Sequence, residues 1–225
     1  MEQLGDMNEC SDYHKIPSYD IVIILCTKEN NMVNKIKDYF NQINIVTQTI
    51  TNVNIDKIIA CIKQIPKICE IDAKSNHNRK LRDSNKDHYH PIKVFKGEIF
   101  NAQITQNAGS ELSDNHLVII VQGFSSNVYG EKVTVLPIEG DGTKINPHYQ
   151  IKLTNADLES GQLDKNPSRI IFTDVMTLDK ARLNRKVGKL NPIKIEEVNK
   201  YLVAHLDLKK KSKSNKSSGL TTDKN

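Results

Sequence analysis

The sequence predicts a mainly β protein with some α structure: a small, strongly bent antiparallel barrel with a C-terminal helix, preceded by a small α/β unit. From residue 95 on, short apolar or alternating segments are separated by polar loops, as in antiparallel sheets. Before residue 73, apolar residues at helical spacing lie beside two β-branched runs. Residues 74–94 are charged and lack apolar periodicity. The expected domains are therefore 1–73, a linker at 74–94, a barrel at 95–208 and a basic tail at 209–225.

Composition limits the class of protein. The chain has 225 residues, 37% of them hydrophobic, and a mean hydropathy of −0.51. This length suits one or two domains, and the low hydropathy indicates linkers or tails beside them. No window approaches the roughly 18 consecutive apolar residues of a membrane span, and the first ten residues lack the pattern of a signal peptide. We therefore expect a cytoplasmic protein with no membrane contact.

The net charge of +5 is concentrated at the C-terminus. Residues 209–225 hold six lysines and one aspartate, so the first 208 residues are formally neutral. Because this tail has almost no apolar residues, it cannot offset its ordering entropy, and we expect it to be disordered. The basic balance is thus weak evidence for a nucleic-acid-binding body.

Four cysteines, at positions 10, 26, 61 and 69, lie in the first third of the chain without a CxxC pair. This pattern favours thiols in a reducing cytoplasm over a disulfide framework or a zinc site. No metal or cofactor is expected.

Four segments predict the N-terminal α/β unit. Residues 19–26 (YDIVIILC) and 43–50 (INIVTQTI) favour strands. Two other segments have helical stripes, at Val33, Ile36, Phe40 and Ile43 and at Ile55, Ile58, Ile62 and Ile65. Asn54 is a possible cap for the second helix and Pro66 a stop. No catalytic constellation occurs here, which indicates a packing, docking or partner-binding module.

The linker contains the triplet HYH at residues 88–90. Alternate residues of an extended chain can place two imidazoles on one side, as a metal site would need. No further ligands lie nearby in sequence, so a plain linker is favoured.

Five strands and two helical pieces are predicted for the barrel. The strands are expected at 95–104, 116–123, 131–140, 149–154 and 168–178. The helical pieces are 178–190 and 191–208. The second has Asn191 as a cap, Pro192 at its first position and an apolar stripe ending at Leu206.

Several of these segments carry a resemblance. The strand KGEIFNAQI, the turn Gly109-Ser110-Glu111, the strands VIIVQ and VTVLPI, and the segment MTLDKARL follow one another over about 110 residues. In this order they resemble the PemK/MazF family of toxin–antitoxin ribonucleases, over residues 95–208. The resemblance implies an SH3-like barrel that forms a homodimer. It also implies cleavage of single-stranded RNA without a metal, and inhibition by a cognate antitoxin protein.

The chain departs from the family pattern where chemistry is expected. His116-Leu117 replaces the family's arginine and proline before the buried strand, and Glu139 replaces a threonine or serine at the end of the next strand. Met176 and Asp174 stand where the family has arginine and glutamine. The family's later positions are retained at Asp179, Arg182 and Leu183.

The replacing pair can still perform the chemistry. Cleavage by the RNA's own 2′-hydroxyl needs a base on that hydroxyl, an acid on the departing 5′-oxygen and a cation near the phosphate. If their two loops converge as in the family, Glu139 is the expected base and His116 the expected acid. Candidates for substrate binding are Gly109, Ser110 and Glu111 in the turn, with Lys132, Lys144 and Arg169 as cations. Glu111 could instead cap backbone amides of its turn.

Aromatic residues make up only 5% of the chain, so base-stacking platforms are few. Phe124, Tyr129 and Tyr149 could stack bases beside the groove or pack the barrel rim.

Two other functions stay open. The chain could be a non-catalytic toxin or adaptor on the same barrel, like the related CcdB toxins that trap a DNA topoisomerase. It could also be a degenerate partner protein in which the N-terminal unit does the binding. The lost arginine favours the first of these alternatives, and the His/Glu pair argues against it.

Overall fold

A computed structural model describes residues 18–49, 51 and 54–208, with side chains from Val33 onward. The predictions for the tail at 209–225, for Cys10 and for the Cys26 side chain lie outside the described residues. The chain divides after Asp56 into two units, which are treated separately below.

The first unit contains one long helix, α1, Ser18–Thr49. The strands predicted at 19–26 and 43–50 are therefore wrong, up to Ile50, which lies outside the described residues. An apolar run of eight residues fits a helix as well as a strand, and the weak propensity of β-branched residues did not decide between them. The predicted stripe of Val33, Ile36, Phe40 and Ile43 lies on this helix, and all four side chains are exposed.

The second helix, α2, Ile55–Ser84, runs through two predicted boundaries. Pro66 lies inside it, and the first half of the predicted linker is helical. A proline in a helix interior removes one hydrogen bond and costs about 3 kcal/mol. Residues before and after Pro66 form hydrogen bonds with the rest of the second unit, and these offset that cost. Gln64 accepts from Gln106 N, and Ser75 Oγ donates to Asp179 Oδ2 over 2.7 Å.

The rest of the second unit is one curled, antiparallel eight-stranded sheet. Its strands are β1 Glu98–Ile104, β2 Asp114–Ile120, β3 Lys132–Glu139, β4 Gln150–Leu153, β5 Leu158–Gly161, β6 Ser168–Ile171, β7 Met176–Asp179 and β8 Leu183–Leu190. The order across the sheet is β4-β6-β3-β2-β1-β8-β5, with β7 pairing beside β3. A short helix, α3 Phe124–Tyr129, joins β2 to β3, and helix α4 Pro192–His205 follows β8. The predicted class, mainly β with α, is confirmed.

Both faces of the sheet bury apolar side chains, because successive residues of a strand point to opposite faces. One cluster includes Ile119, Leu136 and Phe172, with Val198 of α4 packed against it. The other includes Val118 and Val135. Strands β2 and β3 thus read as nearly continuous apolar runs, which is why the sequence located both.

The C-terminal helix is confirmed with its cap, since the Asn191 side chain accepts from Lys194 N over 2.8 Å and Pro192 begins the helix. Along its predicted stripe, Val198 is buried whereas Leu206 is exposed.

The helix predicted at 178–190 is wrong. Leu183, Val187 and Leu190 have helical spacing, but the segment forms a short 3₁₀ helix, Lys180–Arg182, followed by β8. Asp179 begins the 3₁₀ turn by accepting from Ala181 N over 2.7 Å. Because β8 pairs with both β1 and β5, its backbone groups are satisfied by the sheet.

Two further differences concern strand number. The segment 168–178 forms two strands, β6 and β7, and β5 was not predicted at all. β5 is only four residues long and mostly exposed, so it carries little apolar pattern.

Candidate active site

The registers of β2 and β3 bring His116 and Glu139 together. The last pair of this ladder is Leu117 opposite Ile138, which places His116 beside Glu139 one step further on. Residues opposite each other in an antiparallel pair lie on the same face with Cβ atoms about 4.5–5.5 Å apart. Both residues line one cleft of about 360 Å³. The two side chains come from strand ends instead of the expected loops, and they share one opening.

A hydrogen bond defines the chemistry of the half-buried His116 ring. Its Nε2 lies 2.8 Å from the carbonyl oxygen of Ser113. Because a carbonyl oxygen only accepts, Nε2 carries the hydrogen, and Nδ1 is the nitrogen left to exchange a proton. Ala102, opposite His116 on β1, is fully buried and leaves space for the ring.

The loop before His116 is held by Ser113. Its hydroxyl accepts from Asn107 N over 3.0 Å and from Gln106 Nε2 over 3.1 Å. The carbonyl that fixes the imidazole therefore belongs to a residue whose own position is set by hydrogen bonds.

Glu139 is held by Arg169, which lies directly opposite it on β6. Both Nε, at 2.9 Å, and Nη2 of Arg169 donate to Oε2 of Glu139. Arg169 Nη1 also donates to the carbonyl oxygen of Lys144 over 3.2 Å. Within the part of the chain that the structure describes, no hydrogen bond reaches Oε1 of Glu139. One carboxylate oxygen is anchored and the other can contact a ligand.

The loop between β5 and β6 also lines the cleft, through Asp164 and Lys165. The Lys165 carbonyl accepts from Ser168 Oγ over 2.6 Å, which fixes the backbone of this loop. Sequence reasoning missed both residues. The only available signal was their place four and five residues before Arg169, on the approach to its strand.

The other predicted substrate-binding residues lie elsewhere. Lys132 begins β3, opposite Asp179, whereas Glu139 ends that strand. Glu139 lies seven residues after Lys132, which corresponds to roughly 23 Å along the strand because each residue adds about 3.3 Å. Phe124 and Tyr129 are on α3, which joins β2 to β3 at that same far end. The structure therefore does not bring Lys132, Phe124 or Tyr129 to the cleft.

The Gly-Ser-Glu turn lies in the loop between β1 and β2. Gly109 has φ of +55°, a left-handed conformation that favours glycine. Glu111 lines a second cleft, of about 420 Å³, together with Asp174 and Met176. Glu111 thus lines a different cleft from the one that holds His116 and Glu139.

A separate group of charged residues occupies the far end of β3. Lys180 is fully buried, its Nζ donates to the Asn127 carbonyl, and burial lowers its pKa to about 8. Burial likewise lowers the pKa of His90. The pKa of Glu131 is lowered, chiefly because Arg79 donates hydrogen bonds to it. These residues are satisfied within the fold.

Comparison with known proteins places the chain in a family. Residues 95–206 match the family of PemK-like, MazF-like toxins of type II toxin-antitoxin systems. The chain is also 32% identical over 115 residues to the endoribonuclease MazF of Staphylococcus saprophyticus, covering 50% of this chain and 91% of that protein. The chain belongs to the PemK/MazF toxin family. The matched region contains all eight strands and every residue that lines the cleft.

Solved structures of MazF proteins are similar to this chain at low identity. MazF of Deinococcus radiodurans aligns with a TM-score of 0.43 and 14% identity, covering 52% of this chain and 99% of that one. A mycobacterial endoribonuclease in complex with its cognate antitoxin aligns with a TM-score of 0.38 and 16% identity, covering 52% and 96%. Likenesses at this level say nothing about function, and the family assignment rests on the sequence matches.

No helix within the described ranges is long and apolar enough to cross a membrane.

Proposed function

We propose that this PemK/MazF family toxin is an endoribonuclease that cleaves single-stranded RNA by attack of the RNA's own 2′-hydroxyl. The observation that carries the proposal is the pair His116 and Glu139, on adjacent strand ends and facing one cleft. The relative from Staphylococcus saprophyticus, which is named an endoribonuclease, supports the reaction class.

The proposed reaction uses one proton transfer at each side of the phosphate. Oε1 of Glu139 takes the proton of the 2′-hydroxyl as the 2′-oxygen forms a bond to phosphorus. The bond from phosphorus to the 5′-oxygen breaks, and that oxygen takes the Nδ1 proton of His116 in its imidazolium form, which leaves the neutral ring with its hydrogen on Nε2. The products are a 2′,3′-cyclic phosphate and a 5′-hydroxyl. Each proton transfer is worth about 10²–10⁴-fold in rate.

The contacts of the two side chains suit these roles. Arg169 holds Oε2 of Glu139, so the carboxylate is oriented while Oε1 stays available. Ser113 holds Nε2 of His116, so the proton is given up from Nδ1. Neither role requires a cofactor.

The proposal includes the partners of a type II toxin. A cognate antitoxin protein would bind the chain and block the cleft, and the toxin would act as a homodimer in the cytoplasm. The family description supports the antitoxin.

A non-catalytic toxin on the same fold is the alternative, as a topoisomerase poison or an adaptor. The Arg169–Glu139 ion pair is the observation that favours it, since a carboxylate paired with arginine can serve structure alone. In that case His116→Ala and Glu139→Gln would leave toxicity intact.

Purified full-length protein tests the proposal. We expect it to cleave a long single-stranded RNA in the presence of a chelator. His116→Ala and Glu139→Gln should each abolish most cleavage while circular dichroism shows a wild-type melting temperature. Wild-type rates in both variants would refute the assigned pair, and an intact RNA pool during growth arrest would favour the non-catalytic toxin.

A further inference from the structure

We propose that Lys165 is the cation that contacts the scissile phosphate during RNA cleavage. This inference rests on the proposed ribonuclease function and adds the element that the pair His116 and Glu139 cannot supply. As the 2′-oxygen attacks, negative charge builds on the non-bridging phosphate oxygens, and a fixed cation there lowers the barrier.

The cations expected from the sequence are not available for this role. Arg169 is occupied by the Glu139 carboxylate and by the Lys144 carbonyl. Lys132 lies at the opposite end of β3. The side chain of Lys144 is exposed and does not line the cleft.

Lys165 lines the same cleft as the proposed catalytic pair. Among the residues that line this cleft, which include His116 and Glu139, it is the one lysine or arginine. Its position has a geometric cause at Gly140, the residue that follows Glu139. A Cβ added to Gly140 would collide with Cδ of Lys165 and lie 3.2 Å from Cγ. The lysine stem therefore passes directly over the backbone beside the base, and the ammonium lies two bonds beyond Cδ.

The ammonium group is available to a ligand. No salt bridge involving Lys165 occurs among the residues that the structure describes. The backbone of Lys165 is nevertheless fixed, by the hydrogen bond from Ser168 to its carbonyl. A lysine with an anchored backbone and an unpaired head can approach a phosphate at the cost of side-chain ordering alone.

Gly140 provides a second test of the role of Lys165. Any side chain at position 140 would displace the lysine stem, so Gly140→Ala should reproduce part of the defect of a Lys165 variant. The backbone of Gly140 is exposed, and its φ lies outside the left-handed region, so alanine introduces no backbone strain there.

The experiment compares Lys165→Met, Lys165→Arg and Gly140→Ala with Lys200→Met, which removes an exposed lysine from α4. Cleavage rates on a defined RNA are measured first. We expect Lys165→Met to lower kcat by about 10²–10³-fold. Lys165→Arg should restore a large part of the rate, Gly140→Ala should lie between, and Lys200→Met should match the wild type.

A binding measurement separates this inference from the proposed function. The probe is a single-stranded oligonucleotide with 2′-deoxy nucleotides throughout, which cannot be cleaved by 2′-attack, titrated at several salt concentrations. Removing one phosphate contact should lower the slope of log K against log salt by about 0.7.

The outcomes are distinct. If the wild type cleaves RNA and Lys165→Met cleaves equally well, this inference is overturned and the proposed function stands. If the wild type cleaves no RNA, the proposed function fails. In that case an unchanged salt slope for Lys165→Met overturns the phosphate contact as well, whereas a reduced slope retains Lys165 as an anion-binding residue.

Discussion

Strand β3 has charged residues at both of its ends, in opposite surroundings. Just before it begins, Glu131 accepts hydrogen bonds from Arg79 and Arg82 of α2. Where it finishes, Glu139 is held by one arginine and opens on a cleft. We call these the capped end and the cleft end.

At the capped end the polar side chains are buried or form hydrogen bonds with other groups of the protein. Lys180 is fully buried, and Asp179 accepts from Ser75 of α2 and from its own 3₁₀ turn. At the cleft end His116 and Glu139 are half-buried and Lys165 is exposed. The same residue types are thus bound within the fold at one end and line an open cleft at the other. Hydrogen bonds between α2 and the residues Glu131 and Asp179 contribute to this difference.

A matched pair of substitutions gives the largest expected contrast. Glu139→Gln keeps the shape of the side chain but removes the proposed base, so kcat should fall by about 10²–10⁴-fold. The free energy of unfolding, measured by urea denaturation, should change little because the amide can still accept from Arg169.

A cleavage rate within threefold of the wild type would show that the cleft end holds no base at position 139. A folded but inactive Glu139→Gln protein would support the distinction between the two ends.

The buried lysine at the capped end predicts a pH dependence of stability. The folded-state pKa of Lys180 is about 8 and its ordinary value is 10.5, because burial disfavours the charged ammonium. Between these values the unfolded chain binds more protons, so stability rises with pH from about 8 toward 10.5. For this group the slope approaches about 1.4 kcal/mol per pH unit.

Urea denaturation at pH 8, 9 and 10 measures this slope, with Lys180→Met as the comparison. Burial is the main cause of the lowered pKa of Lys180, and the charge of the neighbouring Asp179 opposes it. In the Lys180→Met variant, this contribution to the rise of the free energy of unfolding with pH should disappear. Identical slopes in both proteins would mean that Lys180 is not buried as the structure has it.

Glu131→Gln is the counterpart of Glu139→Gln at the capped end. Both oxygens of Glu131 accept from Arg79 or Arg82, so in glutamine an NH₂ group must face a guanidinium, and the free energy of unfolding should fall by about 1–2 kcal/mol. Cleavage by the remaining folded protein should match the wild type, since the cleft is at the other end of the strand. A selective loss of kcat without destabilisation would contradict the assignment.

The smallest expected effect concerns the contact between α2 and the loop before His116. Gln64 accepts from Gln106 N and donates to Asp114 Oδ1 over 3.4 Å. Gln64→Ala should loosen this loop and lower kcat/KM by a few fold. The exposed neighbour Lys63 is the control, as Lys63→Ala touches no part of the loop. Equal rates in the two variants would show that α2 does not help to position the site.

The sequence predicted the central strands β2 and β3 because their burial leaves a direct pattern. The runs at 117–121 and 133–138 are nearly continuous in apolar residues since both faces of the sheet are covered. The cap at Asn191 was also predictable, because capping chemistry is local. The same locality explains why the α4 boundary is right.

The failures have physical causes of other kinds. The run at 19–26 fits a helix and a strand equally, and Pro66 is tolerated because α2 gains long-range contacts. Leu183, Val187 and Leu190 mimic a helix while their backbone pairs in the sheet. Strand register and pairing depend on residues that are far apart in the sequence, so the spacing of apolar residues within one segment does not predict them.

The residues of the candidate site likewise divide into those that the sequence could predict and those that it could not. The substitutions at 116 and 139 could be located by resemblance to the family, and the register of β2 and β3 places them side by side. Lys132 was grouped with them although a full strand length separates it from the cleft. Lys165 was missed because only the folding of its loop brings it to the cleft.

The most direct test uses one RNA oligonucleotide that the protein cleaves at a single position, incubated with a chelator. We predict a product with a 2′,3′-cyclic phosphate and a partner strand with a 5′-hydroxyl. A single 2′-deoxy nucleotide before the cleaved bond should abolish the reaction, as should Glu139→Gln. Cleavage that persists on the 2′-deoxy strand, or products with a 5′-phosphate, would contradict the proposed chemistry of this cleft.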